Sequence, residues 1–496
     1  MSHQRCFVQT GLFVAFFLPL LLFSGCKVGP DYVRPESSVP DQWHEKAVQG
    51  LEDGSANLQT WWAVFDDPIL EGLIQRSRAE NLDLQIAYFR IMESRALLGV
   101  ASGEYWPNVD GTGFYSRSRP SKNGLIAPFM GGSDQTNLHS VGVDASWEID
   151  VFGRIGRSVE SAQASMQASV EDYRDVLVSL YSDVAQTYIT LRSLQTRIQY
   201  AQGNIKLQSD TLELTRNRRE VELAPELDVQ QAELVLATTQ SLLPRLRQLE
   251  SRSVHRLSVL LGQPPTALYE QLSDATGIPK VPEQVAAALP AELLRQRPDI
   301  RRAERILAAQ TAQVGVATAG LYPVFSLSGT FALRSQQISD VGDWGSRAWG
   351  FGPAMRWNIF DGNRARSSIK VAEARTEQAL ADYEKTVLLA LEEVENAMVA
   401  YAREQERLKA LEKSVRAARK SVELVKSSYE IGLTDFQNVL DMQRSLVDQE
   451  DEMATSRGLV AKALARIYTT LGGGWSVDAT QTEVPESAQQ TSNTEQ

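Results

Sequence analysis

The sequence predicts a mainly helical chain that also carries transmembrane β-strands, built from one unit that occurs twice. Residues 348–360 alternate apolar with small or polar side chains, which is the period of a strand with one apolar face. Residues 363–471 instead repeat apolar side chains in steps of three and four, as long helices with a coiled-coil-like seam do. The same order recurs at a shift of 210 residues, which aligns Asp172-Tyr173 with Asp382-Tyr383 and Leu261-Gly262 with Leu471-Gly472.

Composition narrows the class of protein. The chain has 496 residues and a formal net charge of -12, and an acidic chain is a poor candidate for binding nucleic acid. Its four histidines are scattered, so we predict no metal site and no cofactor. A search for nucleophile-elbow, P-loop, zinc-protease and dinucleotide motifs finds none, and we predict that the protein is not an enzyme.

The N-terminus predicts export and acylation. Residues 1–25 are predicted to be a signal peptide, because they have a basic start and an apolar run of 13 residues, Gly11–Phe23, which is shorter than the roughly 20 residues of a spanning helix. Small residues precede Cys26, as in lipoprotein processing sites, so Cys26 is the expected lipid attachment site. Lys27 follows, and a residue other than Asp there favours sorting to the outer membrane of a Gram-negative cell. The alternative is an ordinary secretory signal that leaves a free cysteine.

The first half of the mature chain divides into a tether and a repeat. Asp67-Pro68 begins a helix that we expect to reach Ser102, because Asp caps and Pro suits a first turn. Pro244 is expected to bend or unwind its helix. The predicted parts are a lipidated tether, 26–66, and a first repeat, 67–262, with strands at 108–118 and 139–150 and a helical hairpin at 157–261.

The second half repeats this plan without a proline in the hairpin. Val439, Leu446, Met453, Val460 and Ile467 follow each other at intervals of seven and predict the seam of its last helix. The predicted parts are a Pro-rich connector, 263–296, a second repeat, 297–472, with strands at 324–334 and 348–360 and a hairpin at 363–471, and a disordered tail, 473–496.

The strands favour a membrane barrel over a soluble sheet, which would show the same alternation. Each has about the 9–11 residues that cross a bilayer, with Trp and Tyr near the ends. Asp144, Glu148 and Asp150 share the polar face of the second strand, where they would make a pore prefer cations; the alternative is a solvated polar face.

Four strands per chain leave open edges, which lipid does not tolerate, so the chain must oligomerise. Two chains would supply eight strands and three would supply twelve. A barrel of about eight strands is filled by its own side chains. The small and polar inward faces suit water, and we therefore predict a homotrimer.

Five sequence blocks carry a resemblance to a known family. They are Cys26-Lys27-Val28-Gly29-Pro30-Asp31-Tyr32, Trp61-Trp62-Ala63-Val64-Phe65-Asp66-Asp67-Pro68, Arg297-Pro298-Asp299-Ile300 continuing to Gly315 and Tyr322-Pro323, Asn358-Ile359-Phe360-Asp361-Gly362, and Tyr429-Glu430-Ile431-Gly432-Leu433-Thr434-Asp435-Phe436. Together they resemble the TolC-like outer-membrane efflux channels, in their lipoprotein branch. The resemblance covers nearly all of the mature chain.

The resemblance implies a homotrimeric, twelve-stranded β-barrel continuous with a twelve-helix α-barrel in the periplasm. Two turns would be the periplasmic tips that contact an adaptor protein, itself joined to an inner-membrane transporter. These tips are Leu223-Ala224-Pro225 and Gly432-Leu433-Thr434. Glu222 stands in the first turn where the family usually has glycine.

The resemblance also implies a periplasmic gate at Gln437 and Asp441, which one helical turn places on one face. Three Asp441 side chains near a threefold axis would repel each other unless hydrogen bonds or cations held them. The alternative for Asp441 is a solvated carboxylate near a helix N-terminus.

The function implied is a passive, gated exit duct of a tripartite efflux or export system. The alternative is a free-standing outer-membrane porin or surface lipoprotein. Ordinary porins lack helices of roughly 100 Å, which the predicted hairpins supply, so the hairpins favour the duct.

Overall fold

The structure is a computed structural model that describes residues 27–36, 40, 43, 51–53, 58–119, 135–282, 285–287 and 296–476. The predicted signal peptide, Cys26, much of the loop between the first two strands and residues 477–496 of the tail lie outside them. The chain divides into two compact units. We call residues 1–35, 91–168 and 303–383 the sheet unit, and residues 36–90, 169–302 and 384–496 the helix unit.

The elements follow one another in the order that the duplication predicts. They are β1 Leu51–Asp53, α1 Pro68–Glu80, α2 Leu82–Gly103, β2 Asn108–Ser118, β3 Thr136–Ile149, α3 Arg154–Glu220, α4 Glu226–Leu260, α5 Tyr269–Leu272, β4 Val285–Ala287, α6 Pro298–Ala319, β5 Val324–Ser335, β6 Arg347–Arg356, α7 Arg364–Glu430 and α8 Phe436–Thr470. The short strands β1 and β4 pair in parallel.

The two hairpins have equal helix lengths. Both α3 and α7 have 67 residues, and both α4 and α8 have 35. Pro244 does not unwind α4, which is continuous through it. Pro244 has no N–H to donate to the carbonyl of Gln240, four residues earlier. Both residues are exposed, so water can bond that carbonyl instead. None of the helices described here is both long and apolar enough to cross a membrane.

The predicted single helix from Asp67-Pro68 to Ser102 is two helices. Asn81 separates them in an extended conformation and is buried. Its side-chain oxygen accepts a hydrogen bond from the Leu84 amide at 2.9 Å, and its amide donates to the Leu260 carbonyl at 2.9 Å. Asn81 therefore caps α2 and joins it to α4, which an unbroken helix would not allow.

The four long strands form one antiparallel sheet in the order β2-β3-β5-β6. The register Val143↔Phe331↔Trp349 continues across three strands and defines one apolar face. This face is exposed: Phe331 is 43% exposed and Trp349 is 66%. The other face carries Gly, Ser, Thr, Ala and charged residues. The sheet thus has an exposed apolar face opposite a polar one, as the alternation predicts.

The strand ends differ from the prediction by a few residues. The last strand ends at Arg356 rather than at 360, because Arg356 pairs with Val324, the first residue of β5. Beyond it, the Trp357 indole donates to the Leu321 carbonyl at 3.1 Å. The equivalent Trp147 donates to the Tyr105 carbonyl at 2.9 Å. The duplication therefore fastens each end of the sheet to the preceding helix in the same way.

The start of the tether, residues 27–35, packs within the sheet unit. Arg157, which is 1% exposed, donates to the Val28 and Gly29 carbonyls and to the Asp31 carboxylate. Gly29 has φ of +87°, and a Cβ there would lie 2.4 Å from the Cα of Gly315. Only glycine fits this approach.

The core of the helix unit follows the predicted seams. All five seam residues of α8 are buried, from Val439 to Ile467. Gly474 and Trp475 are also held against this unit. The Gly474 amide donates to the Leu58 carbonyl at 2.7 Å, and the Trp475 ring lies under the guanidinium groups of Arg174 and Arg301, 4.5 and 5.2 Å from its centre.

The two hairpin turns have the same backbone. Glu222 has φ of 57° and Gly432 has φ of 78°, and each is followed by a leucine amide that bonds a carbonyl five residues earlier, at 2.8 Å. This is a helix C-terminus closed by a left-handed residue. Glu222 therefore adopts the conformation of the glycine that it replaces, with a strain that glycine avoids.

We predict opposite effects for two glycine-to-alanine changes. Gly432→Ala should lower the local stability of the second turn by about 1 kcal/mol, because alanine resists a positive φ. Gly203→Ala, inside α3 with open space around it, should raise local stability by about 0.5–1 kcal/mol. Amide hydrogen exchange of peptides around each site measures both. A change of the same sign in the two variants would contradict the assigned turn.

Candidate functional site

The polar face of the sheet brings two acids together. Asp144 lies opposite Asp110 on β2 and opposite Thr330 on β5. These residues border a cleft that also includes Ser146, Ser328 and Gly350. Of the three acids predicted to line a pore, Asp144 is therefore the one that stands on the open polar face.

The other two predicted acids serve the junction between β3 and α3. Glu148 accepts two hydrogen bonds from Arg154, at 2.8 and 3.1 Å, and Arg154 also donates to Glu104 at 2.9 Å. Asp150 lies one residue beyond the strand and accepts from the Ile155 and Gly156 amides at 3.1 and 2.7 Å. Their charges are thus compensated, by a guanidinium and by a helix N-terminus.

The predicted gate residues contact each other. The Gln437 side-chain amide donates to Asp441 Oδ1 at 2.9 Å, and Arg444 lies 3.5 Å from the same oxygen. The pair is exposed on the first turns of α8. The equivalent positions in the first hairpin are Leu227 and Gln231, which carry no charge. The two hairpins therefore differ in chemistry at the place where their backbones match.

The predicted tips are apolar and exposed. Leu223 is 66% exposed and Leu433 is 77%, while Ala224 is buried. Pro225 and Gly432 are exposed, and Thr434 Oγ1 accepts from Asn438 at 2.9 Å. Beneath the turns, eight residues form one buried cluster from both hairpins: Leu212, Val229, Ala232, Val235, Tyr429, Phe436, Val439 and Leu440.

Arg218 links the two tips, and sequence reasoning missed this residue. Arg218 donates to the Glu430 carbonyl at 2.8 Å, and its guanidinium lies 4.8 Å from the centre of the Tyr429 ring. It therefore caps the last turn of α7 from the other hairpin. The signal available in the sequence is the position of a basic residue in the last turn of a long helix.

A second group of charges joins α3, α6, α7 and α8. Arg297 donates to both oxygens of Asp299, at 3.0 and 2.7 Å, to Glu393 at 2.9 Å and to the Thr470 carbonyl at 2.9 Å. Burial, and then the carboxylate of Asp299, raise the pKa of Asp175 to about 6. Arg297 begins one of the five sequence blocks that carry the family resemblance, and these contacts give it a structural role.

A family model described as "Outer membrane efflux protein" matches residues 73–263 and 289–473. The chain therefore belongs to the outer membrane efflux protein family, which confirms the family resemblance. The chain is an outer-membrane protein of Gram-negative type and the channel component of an efflux system. Its described features, long helical hairpins and a sheet with one apolar and one polar face, agree with that class.

Relatives span almost the whole chain. Nodulation protein T of Rhizobium leguminosarum bv. trifolii is 32% identical over 457 residues, which are 92% of this chain and 96% of that protein. The probable efflux pump outer membrane protein TtgC of Pseudomonas putida is 30% identical over 459 residues, 92% and 94% of the two chains. A solved structure of the outer-membrane channel OprN superposes with a TM-score of 0.84 at 36% identity, covering 91% of this chain and 100% of that one.

We predict that the charged group around Asp175 weakens as the pH rises. The folded pKa of Asp175, about 6, exceeds the unfolded value near 4, so its favourable contribution is complete below about pH 4 and is lost as the pH passes 6. Between pH 5 and 7 the local free energy of opening should fall by on the order of 1–2 kcal/mol. Hydrogen exchange of α3 around residue 175, corrected for intrinsic rates, measures this change.

Asp175→Asn should remove the pH dependence, whereas Asp210→Asn, at an exposed position of the same helix, should leave it. If the pH dependence of the wild type persists in Asp175→Asn, another titratable group causes it.

Proposed function

We propose that three copies of this chain form the exit duct of a tripartite efflux system. The duct is a twelve-stranded β-barrel in the outer membrane that continues into a periplasmic barrel of twelve helices. Solutes pass through it passively, and the duct needs no cofactor and performs no catalysis. An inner-membrane pump supplies the energy, and a periplasmic adaptor links the pump to the duct.

The sheet carries this proposal. In the described structure, β2 and β6 each pair along one side only, so each presents a row of unsatisfied backbone groups. In a bilayer each such group costs several kcal/mol. Pairing β2 of one copy with β6 of the next satisfies both rows and closes the barrel. The exposed apolar face then contacts lipid, and the face of small and polar residues contacts water.

The tips support the adaptor contact. Val221, Leu223, Ile431 and Leu433 are all more than 60% exposed, although the cluster beneath them buries its apolar residues. Exposed apolar side chains at matching positions of both turns fit a partner that contacts the two hairpins alike. The shared backbone of the turns means that Glu222 presents the first tip in the same way as Gly432 presents the second.

The tether supports a lipid anchor at Cys26. Lys27, the next residue, lies against Gly153 at the junction of β3 and α3. Val28 donates to the Phe152 carbonyl at 3.2 Å. Acyl chains on Cys26 would therefore start beside the end of the sheet, where a membrane that holds the strands has its boundary.

The mass and outline of the purified full-length protein test the assembly. In detergent we expect three chains, with a projection of about 100 Å from the micelle, the length of a helix of 67 residues. Electron microscopy and native mass spectrometry measure both. A monomer would exclude the closed barrel, and a trimer that binds no adaptor and conducts freely would favour the porin alternative.

We predict that Asp441→Ala raises the single-channel conductance in a planar bilayer at least severalfold. The change shortens the side chain that accepts from Gln437 and lies 3.5 Å from Arg444, so the proposed constriction would become wider. The control is Gln231→Ala, at the equivalent position of the first hairpin, which should leave conductance unchanged. Equal effects of the two variants would remove Asp441 from the gate.

A further inference from the structure

A cavity of about 680 Å³ in the helix unit lies among α3, α4 and α8. Its lining is rich in basic residues: Arg197, Arg252, Arg256 and Lys462. A second cavity of about 490 Å³ shares Asp183 and Gln186 with it and adds Arg466 and Glu393. The two cavities together make a polar groove along one side of α3.

The internal duplication sets out the charges of this groove in equivalent pairs. The shift of 210 residues relates Arg252 to Lys462 and Arg256 to Arg466. It also relates Asp183 on α3 to Glu393 on α7. Each hairpin thus carries two cations one helical turn apart, with one carboxylate on the facing helix.

The second cation of each pair is neutralised. Arg256 donates to Asp183 at 2.9 Å, and Arg466 lies 3.6 Å from Glu393. Arg197 at the far end of the groove is also paired, with Asp451 at 2.6 Å. Among the described residues that line the first cavity, Asp183 is the one carboxylate, and Arg256 already pairs with it.

The first cation of each pair has no such partner. Within the described parts of the chain no carboxylate lies within ion-pair distance of Arg252 or Lys462, and the Lys462 ammonium donates to Thr190 Oγ1 at 3.2 Å. Lys462 is half-buried, and this burial lowers the pKa of its ammonium. A partly desolvated cation facing a cavity is stabilised by an anion that enters the cavity.

The groove lies on the side of α8 that carries the proposed gate. The seam of α8 repeats every seven residues, and Asp441 and Lys462 each stand two residues after a seam position, Val439 and Val460. They therefore share one face of the helix, about 30 Å apart along its axis. If Asp441 faces the interior of the duct, Lys462 and the groove face it too.

We propose that this groove is a binding site for anionic groups of transported solutes, carboxylates or phosphates, with Arg252 and Lys462 as the residues that bind them. The proposal rests on the duct proposed above. Three chains would bring these cations to one level of the interior, because the duplicated hairpins place them at equivalent heights. The site would hold a multivalent anion more tightly than a monovalent one, since several cations surround it.

Citrate binding to the detergent-purified full-length protein tests the site. Isothermal titration calorimetry with citrate, and with inorganic phosphate, should show binding that weakens as salt concentration rises. The double variant Arg252→Gln/Lys462→Gln should weaken citrate binding about tenfold or more, which two lost charges near a multivalent anion can account for. Lys206→Gln, at an exposed position of α3, is the control and should bind as the wild type does.

A charge-preserving variant separates binding from folding. Arg252→Lys should retain citrate binding, and the trimer mass of the double variant should equal that of the wild type. Absence of citrate binding to the wild type, or unchanged affinity in the double variant, would overturn the proposal.

Current block in a planar bilayer distinguishes this site from the duct itself. In channels that carry Asp441→Ala, citrate should reduce the current, and the double variant should need about tenfold more citrate for the same reduction. Citrate binding without any conductance would overturn the proposed duct and leave the site. Conductance that citrate does not reduce would overturn the site and leave the duct.

Discussion

The two open edges of the four-stranded sheet are the constraint on which the proposed assembly depends. An antiparallel strand offers hydrogen bonds on both sides, and β2 and β6 use one side each in the described sheet. An unpaired edge strand promotes aggregation in water. In lipid, each of its unsatisfied backbone groups costs several kcal/mol. In the proposed assembly, strands of other copies cover these edges. The same assembly would place the long hairpins of neighbouring copies side by side.

The internal duplication gives the two hairpins the same geometry, and the residues that differ between them give them different chemistry. Helices of equal length in the two hairpins place equivalent residues at equivalent levels. Where both copies keep a property, as in the exposed leucines of the turns or the cations Arg252 and Lys462, the proposed trimer would carry it at six equivalent positions. Where only one hairpin has the property, as with Asp441 and its uncharged equivalent Gln231, the proposed trimer would carry it at three positions.

Periodic features were predictable from the sequence, because burial imposes a period. The alternation in β3 and the seven-residue seam of α8 predicted their elements and faces. Single polar residues were less predictable, because their role depends on contacts distant in sequence. Asn81 is a helix cap through the Leu84 amide and the Leu260 carbonyl. Asp150 shares the parity of Asp144 but serves the N-terminus of α3. Pro244 is predicted to bend or unwind α4, and the structure shows that α4 is not unwound there.

The packing of Trp475 has a practical consequence for experiments in living cells. Trp475 packs on Arg174, and about 45 residues of α3 separate that arginine from the first turn, a distance of roughly 70 Å along the helix. An affinity tag or fluorescent protein fused directly after Ser476 would therefore begin far from the first turn. Such a fusion would report abundance and position without obstructing whatever docks at the turns. Removing Trp475 to shorten a fusion would instead expose two arginines that its ring now covers.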